Sequence, residues 1–320
     1  MRSEPRGRTC ATTSTSCTVH GILDRTPWRF SVTAWSRVGA GAPSAWTTAL
    51  RSVVVVVVAG QSNATGAESY VVSPSTHRSI FDRHLPADSK VGLSFWGPYY
   101  FPAGIPPQPL DYPQINSSEH SVVTFGPEIG LARGLWADGA RHLLVEKVVA
   151  NGTSLAVNWR PHGSLFDILV KRTRTLLAWA ASKGWSPSIG GIYWVQGEAD
   201  SLRATQAAAY RVHLAAFIAA VRSTLPCDRR TPFVLAETTV GPWVRYREHH
   251  GGCGKVTCDH LLAYNATVRA AQVAIARSVR DVYISDTAPL PRTSVQLHLS
   301  WVGELELGAA FAALSARHLT

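Results

Sequence analysis

Residues 52–63 read S-V-V-V-V-V-V-A-G-Q-S-N. Six consecutive valines do not alternate apolar with polar, as a half-exposed strand would. A β-branched run buried on both faces suits a central strand of a parallel sheet. The run stops at Gly60 and delivers Gln61, Ser62 and Asn63 to the strand's carboxyl end, the edge where open α/β sheets bind ligands. Ser62, just past a glycine, is there a candidate nucleophile. The plainer reading of the same turn makes Ser62 or Asn63 the N-cap of a following helix.

Downstream, strand and helix patterns alternate. Residues 126–138 open on G-P-E, with proline near the first turn and an acid after it, as helix starts prefer. Residues 144–150 read as a second buried strand ending in N-G-T-S-L. Helical apolar spacing covers 165–179, and 189–195 is a third strand ending in Q-G-E-A-D. A helix over 204–225 gathers Tyr210, Leu214, Phe217, Ile218 and Val221 on one face. Strand 233–236, a loop to about 259, a helix over 261–278, strand 282–285, a loop bearing His298 and a helix over 301–315 complete the chain. This alternation predicts an α/β domain with a parallel sheet covered on both faces. Residues 66–124, rich in Pro, Tyr, Ser and Asp, read as a long irregular stretch over the edge that carries Ser62. Phe81, Trp96, Tyr99 and Tyr100 would either hold that stretch down or offer a sugar ring an aromatic surface.

The 320 residues suit one such domain, 51–320, plus a smaller unit over 1–50. The net charge of +10 is scattered arginine rather than a basic block, which argues against nucleic acid as a partner. No apolar run approaches the ~18 residues of a membrane span. Residues 1–20 contain no apolar h-region of a secretory signal.

Three strand ends thus deliver Ser62, Gly152 and Glu198, and a late loop delivers His298. A serine nucleophile needs a base, donors aimed at the oxyanion, and a carboxylate that holds the imidazole's tautomer. No G-x-S-x-G elbow is present. G-Q-S-N at 60–63, F-G-P-E at 125–128, K-V-V-A-N-G-T-S-L at 147–155, W-V-Q-G-E-A-D at 194–200 and L-H-L-S at 297–300 together resemble the SGNH hydrolase superfamily. Within it they resemble the carbohydrate (sialate-type) O-acetylesterase family, over residues 53–317. That resemblance implies a three-layer, flavodoxin-like parallel-sheet fold and a serine esterase that needs no cofactor or metal. Its substrate would be an acetylated carbohydrate, sialic acid or a polysaccharide such as xylan. It implies Ser62 as nucleophile, His298 as base, and the N–H groups of Ser62 and Gly152 with the Gln196 amide as oxyanion donors. Many relatives carry an aspartate three residues before the histidine, where this chain has Val295. Glu198 is therefore expected to orient His298, with Asp286 as the alternative acid and Asp200 and Asn63 as further site or substrate contacts. Val295 also leaves open a weakened, carbohydrate-binding protein, and the superfamily includes lipases and thioesterases.

Residues 14–22, 28–35 and 39–46 read as three short strands and resemble the end of a fibronectin type III domain. Trp28 stands where that family usually has its corner tyrosine. Half a sandwich is a poor independent domain, so the chain is expected to lack its true N-terminus and to be secreted. The cysteines are Cys10, Cys17, Cys227, Cys253 and Cys258. The cluster His249, His250, Cys253, Cys258, His260 has zinc-ligand types without zinc-site spacing. A Cys253–Cys258 disulfide is the favoured reading, with two free thiols as a third alternative.

Overall fold

The computed structural model describes residues 51–69, 85–98, 104–110, 114–116, 122–228 and 230–319, with four two-residue strand pieces between 29 and 48. Those pieces pair antiparallel, Arg29–Phe30 with Thr47–Thr48 and Trp35–Ser36 with Gly39–Ala40. The rest of the reading over 14–46 lies outside the described residues, as do Cys10, Cys17, Phe81, Tyr99 and Tyr100.

The valine run forms β1 (Arg51–Gly60). The other sheet strands are β2 (Gly92–Trp96), β3 (Gln108–Pro109), β4 (Leu143–Val149), β5 (Trp185–Val195), β6 (Phe233–Ala236) and β7 (Val282–Ser285). The seven lie in the order β7-β6-β5-β1-β4-β2-β3, and every neighbouring pair is parallel except β2 with β3. A strand's side chains alternate faces. Val53, Val55, Val57 and Ala59 accordingly enter one core, and Val56 and Val58 the other. The first core is closed by α4 (Ser164–Ser182), α5 (Ala204–Thr224) and α7 (Cys258–Ser278). The second is closed by α3 (Glu128–Ala137) and α8 (Trp301–Leu319). Burial of each valine contributes about 1.5–3 kcal/mol, which holds β1 between two helical layers. The architecture is the expected three-layer α/β sandwich, with a mixed, mostly parallel sheet.

Two segments depart from the sequence reading. Within the stretch read as irregular, Gly92–Trp96 is a sheet strand following α2 (Pro86–Lys90), and Trp96 belongs to it. Its central Ser94 is fully buried, and its Oγ accepts from Arg172 Nη2 at 2.7 Å. A long-range guanidinium makes this polar residue compatible with a buried strand, which local pattern cannot reveal. The stretch read as a loop before 259 contains α6 (Gly241–His249), with a proline in its first turn. Val244 is its buried residue, so it carries no apolar stripe to detect.

Cys253 and Cys258 form a disulfide, with Cα atoms 5.3 Å apart, at the start of α7. Cys227 is free and half-buried. The bridged loop packs with Val240, Val244 and Leu261 in a small cluster that also takes in Leu297, next to His298. Among the described residues no helix is long and apolar enough to cross a membrane.

Candidate active site

Because β1 is flanked by β4 and β5, three adjacent strands end along one edge of the sheet. β1 leads into α1 (Ser62–Thr65), β4 into the turn at Asn151 and Gly152, and β5 into Gln196 to Asp200. Two backbone bonds tie these ends together: Gln61 N–H donates to Val195 O at 3.0 Å, and Ala150 N–H to Gly60 O at 3.0 Å. The approach of β5 explains Gly60. Its φ is +148°, and a Cβ there would lie 2.0 Å from Val195 O. Gly60→Ala should therefore cost more than about 2 kcal/mol in denaturant unfolding. A loss under about 0.5 kcal/mol would show that the strand ends can separate cheaply.

Ser62 is the first residue of α1 and its hydroxyl has no hydrogen-bond partner among the described residues, His298 included. Catalytic hydrogen bonds of apo sites are often long and tighten only with substrate. The N–H groups of Ser62 and Gly152 are likewise without a backbone partner among the described residues. Gly152 is in the left-handed region at φ +67°, and a Cβ would meet nothing within 4 Å, so this turn faces open space. The turn is braced from beneath. Asp200 accepts from Leu155 N–H at 2.8 Å and Ala156 N–H at 3.3 Å. Burial pushes the Asp200 carboxyl above its ordinary range, and these N–H groups oppose that push.

The Gln196 amide, read from sequence as a third oxyanion donor, turns its Nε2 to Gln61 Oε1, Thr153 O and Asp200 Oδ2. It is 1% exposed and serves as an internal tie.

His298 sits in a narrow loop. Thr293 N–H donates to His298 O at 2.9 Å, and Arg292 bridges to Leu299. Asn63, beside the candidate nucleophile, connects this loop to the sheet edge. Its Oδ1 accepts from Leu299 N–H at 3.0 Å and its Nδ2 donates to Glu198 Oε1 at 2.7 Å. Glu198, expected to face His298, thus has Asn63 on one carboxylate oxygen. Asp286 is exposed, and its Oδ1 accepts from Ala288 N–H at 2.8 Å in its own turn. The carboxylate that lies against His298 is Glu68, with Oε2 3.0 Å from Nδ1, at ion-pair distance but out of line for a hydrogen bond. The imidazole's closeness holds the Glu68 carboxyl below its usual range, against the opposing push of burial. Sequence reasoning missed Glu68 because it falls in no block, in the stretch taken as irregular.

A buried ion pair underlies the edge. Lys147 Nζ is 2.9 Å from Glu128 Oε2, both side chains fully buried, and donates to Thr65 O at 3.0 Å, the last residue of α1. The F-G-P-E and K-V-V-A blocks thus meet beneath the nucleophile turn. No group of His, Cys, Asp and Glu among the described residues could hold a metal ion.

Residues 52–317 match the family described as carbohydrate esterase, sialic acid-specific acetylesterase. No curated protein matches the sequence significantly. Among solved structures, a protein from Arabidopsis thaliana is similar, with TM-score 0.58 and 21% identity over 83% of this chain and 99% of its own. NanS is similar with TM-score 0.53 and 15% identity over 84% and 98%. A carbohydrate acetylesterase from Xanthomonas citri follows with TM-score 0.51 and 16% identity over 90% and 60%. Those three likenesses carry the fold. The family match itself runs from the valine strand into the last helix, so the chain belongs to the carbohydrate esterase family of sialic acid-specific acetylesterases and is a carboxylic ester hydrolase.

Proposed function

We propose that this protein is a serine esterase that removes O-acetyl groups from carbohydrates, sialic acid or an acetylated polysaccharide such as xylan, through an acyl-enzyme. Ser62 Oγ attacks the acetyl carbonyl carbon while His298 Nε2 takes its proton. The oxyanion is received by the N–H groups of Ser62 and Gly152. Collapse breaks the ester C–O bond, and the sugar oxygen leaves with the proton from His298. Water, deprotonated by the same imidazole, then releases acetate. Glu198 acts in this reading through Asn63, which keeps the histidine loop against the nucleophile turn.

The observation that carries the reading is the Asn63 bridge, since it fastens the residue after Ser62 to the residue after His298. The test is acetate release from O-acetylated sialic acid, acetylated xylan and p-nitrophenyl acetate, beside butyrate and palmitate esters. Turnover of acetyl esters with a steep fall at longer chains is the expected result. A preference for long chains would make the protein a lipase. No turnover of any ester by folded protein would make it a carbohydrate-binding protein.

The Cys253–Cys258 bond supports secretion into an oxidising compartment. Residues 1–50 are read as a separate fibronectin-like β segment, supported by the start of the family match at residue 52. Deleting residues 1–48 should leave kcat and KM for p-nitrophenyl acetate within about twofold, because the family match and every candidate site residue lie beyond that segment. A large fall in kcat with unchanged circular dichroism would make the segment part of the site.

A further inference from the structure

We propose that Glu68 is the carboxylate that positions His298, doing from the nucleophile's own turn what an aspartate at position 295 would do from the histidine loop. The proposal rests on the reading of Ser62 and His298 as nucleophile and base.

Position 295 holds valine, which cannot accept a hydrogen bond from the imidazole. The other carboxylates considered for the role have partners of their own, although Glu198 keeps its Oε2 buried and without a hydrogen-bond partner among the described residues. Glu198 receives Asn63, Asp200 receives the N–H groups of Leu155 and Ala156, and Asp286 closes its own turn. Among the described carboxylates Glu68 is the one placed at His298, its Oε2 3.0 Å from Nδ1, and the same oxygen lies 3.4 Å from the Thr293 hydroxyl. The carboxylate therefore touches the histidine loop at two points, one on the ring and one on the residue whose N–H supports His298 O. Nδ1 faces Glu68 at ion-pair distance, and a small turn of the ring as the site tightens around substrate would close that contact into a hydrogen bond, leaving Nε2 for the serine, the tautomer general-base catalysis requires.

The backbone places Glu68 deliberately. α1 ends at Thr65 and is capped by Gly66 in the left-handed region, and Glu68 itself has φ +58°. A non-glycine residue in that region is costly and tends to persist where surrounding structure over-determines it, often at functional sites. Here the over-determination comes from Ser69, whose hydroxyl donates to Phe125 O at 2.9 Å, and from the Gly66–Ser69 backbone bond. The turn that carries the nucleophile thus also aims the acid, six residues later.

The test is steady-state kinetics on p-nitrophenyl acetate with Glu68→Gln, Val295→Asp and the double variant. Glu68→Gln should lower kcat by about 10²–10⁴-fold with KM within about threefold, since an orienting acid acts on the chemical step. Adding Val295→Asp to Glu68→Gln should restore at least about tenfold of that loss, because a carboxylate returns to Nδ1 from the other side. Wild-type kcat in Glu68→Gln overturns the proposal, and so does a loss that tracks a lowered melting temperature and is not rescued by Val295→Asp. Full activity in Ser62→Ala would instead sink the underlying reading of the site, so the two failures are separable.

Discussion

Ser62→Ala is expected to lower kcat for acetyl-ester hydrolysis by on the order of 10⁴–10⁶ while leaving stability within about 0.5 kcal/mol. The catalytic loss follows from the role: without Oγ there is no atom to form the acyl-enzyme. Stability should hold because the hydroxyl makes no hydrogen bond among the described residues, and alanine is a good first residue of a helical turn. The backbone N–H at position 62 survives the substitution, so a carbonyl can still be held, and substrate or product affinity should persist. Parallel measurement of kcat, melting temperature and acetate-ester binding checks all three. Retention of more than about one-hundredth of wild-type kcat would assign the nucleophile to another residue, as the residual from oxyanion binding alone is far smaller relative to the intact enzyme.

Lys147→Met is expected to destabilise the protein by about 3–5 kcal/mol, the usual cost of removing one member of a buried ion pair. Lys147 sits mid-strand in β4, fully buried, with Glu128 at 2.9 Å and the Phe95 ring 5.0 Å from its ammonium. Burial pushes its proton affinity down and Glu128 pulls it back up. Glu304, also fully buried, is driven well above the normal carboxylate range, first by burial and next by the charge of Glu128. Removing the ammonium therefore takes the ion-pair partner from the buried Glu128 carboxylate, with a second buried carboxyl, Glu304, acting on it. It also removes the donor to Thr65 O, so the nucleophile turn should loosen and kcat fall alongside stability. The double variant Lys147→Met, Glu128→Gln should recover much of the stability, because the group that faced the lost ammonium is then neutral. Urea unfolding of wild type, single and double variants measures the coupling. A single variant within about 1 kcal/mol of wild type would mean that water reaches the pair and solvates Glu128.

Much of the architecture was legible locally. The unbroken valine run required burial on both faces, and its alternate residues indeed enter opposite helical layers. Each strand that runs into a glycine turn announces a carboxyl-edge site, so the sequence alone groups Ser62, Gly152 and Glu198. The blocks that carry the family resemblance lie on those same turns, because a turn's shape depends on few neighbouring residues. The cysteine pair, five positions apart in a glycine-rich loop, was close enough in the chain for its bond to be anticipated.

What only the tertiary structure decided involves partners remote in sequence. β2 hides a buried serine that a guanidinium 78 residues away satisfies, so its pattern does not look like a core strand. The sheet edge places Glu198 near the histidine loop, but it does not say which way each carboxylate oxygen turns. Asn63, 135 residues before it, draws its Oε1 at 2.7 Å. Glu68 and His298 are 230 positions apart and meet because β1 and the last loop converge at the same edge. A sequence pattern records strand burial and turn chemistry, which are local sums of side-chain preference. Charge pairing across the sheet edge is set by how the layers close, and that information exists only once the chain has folded.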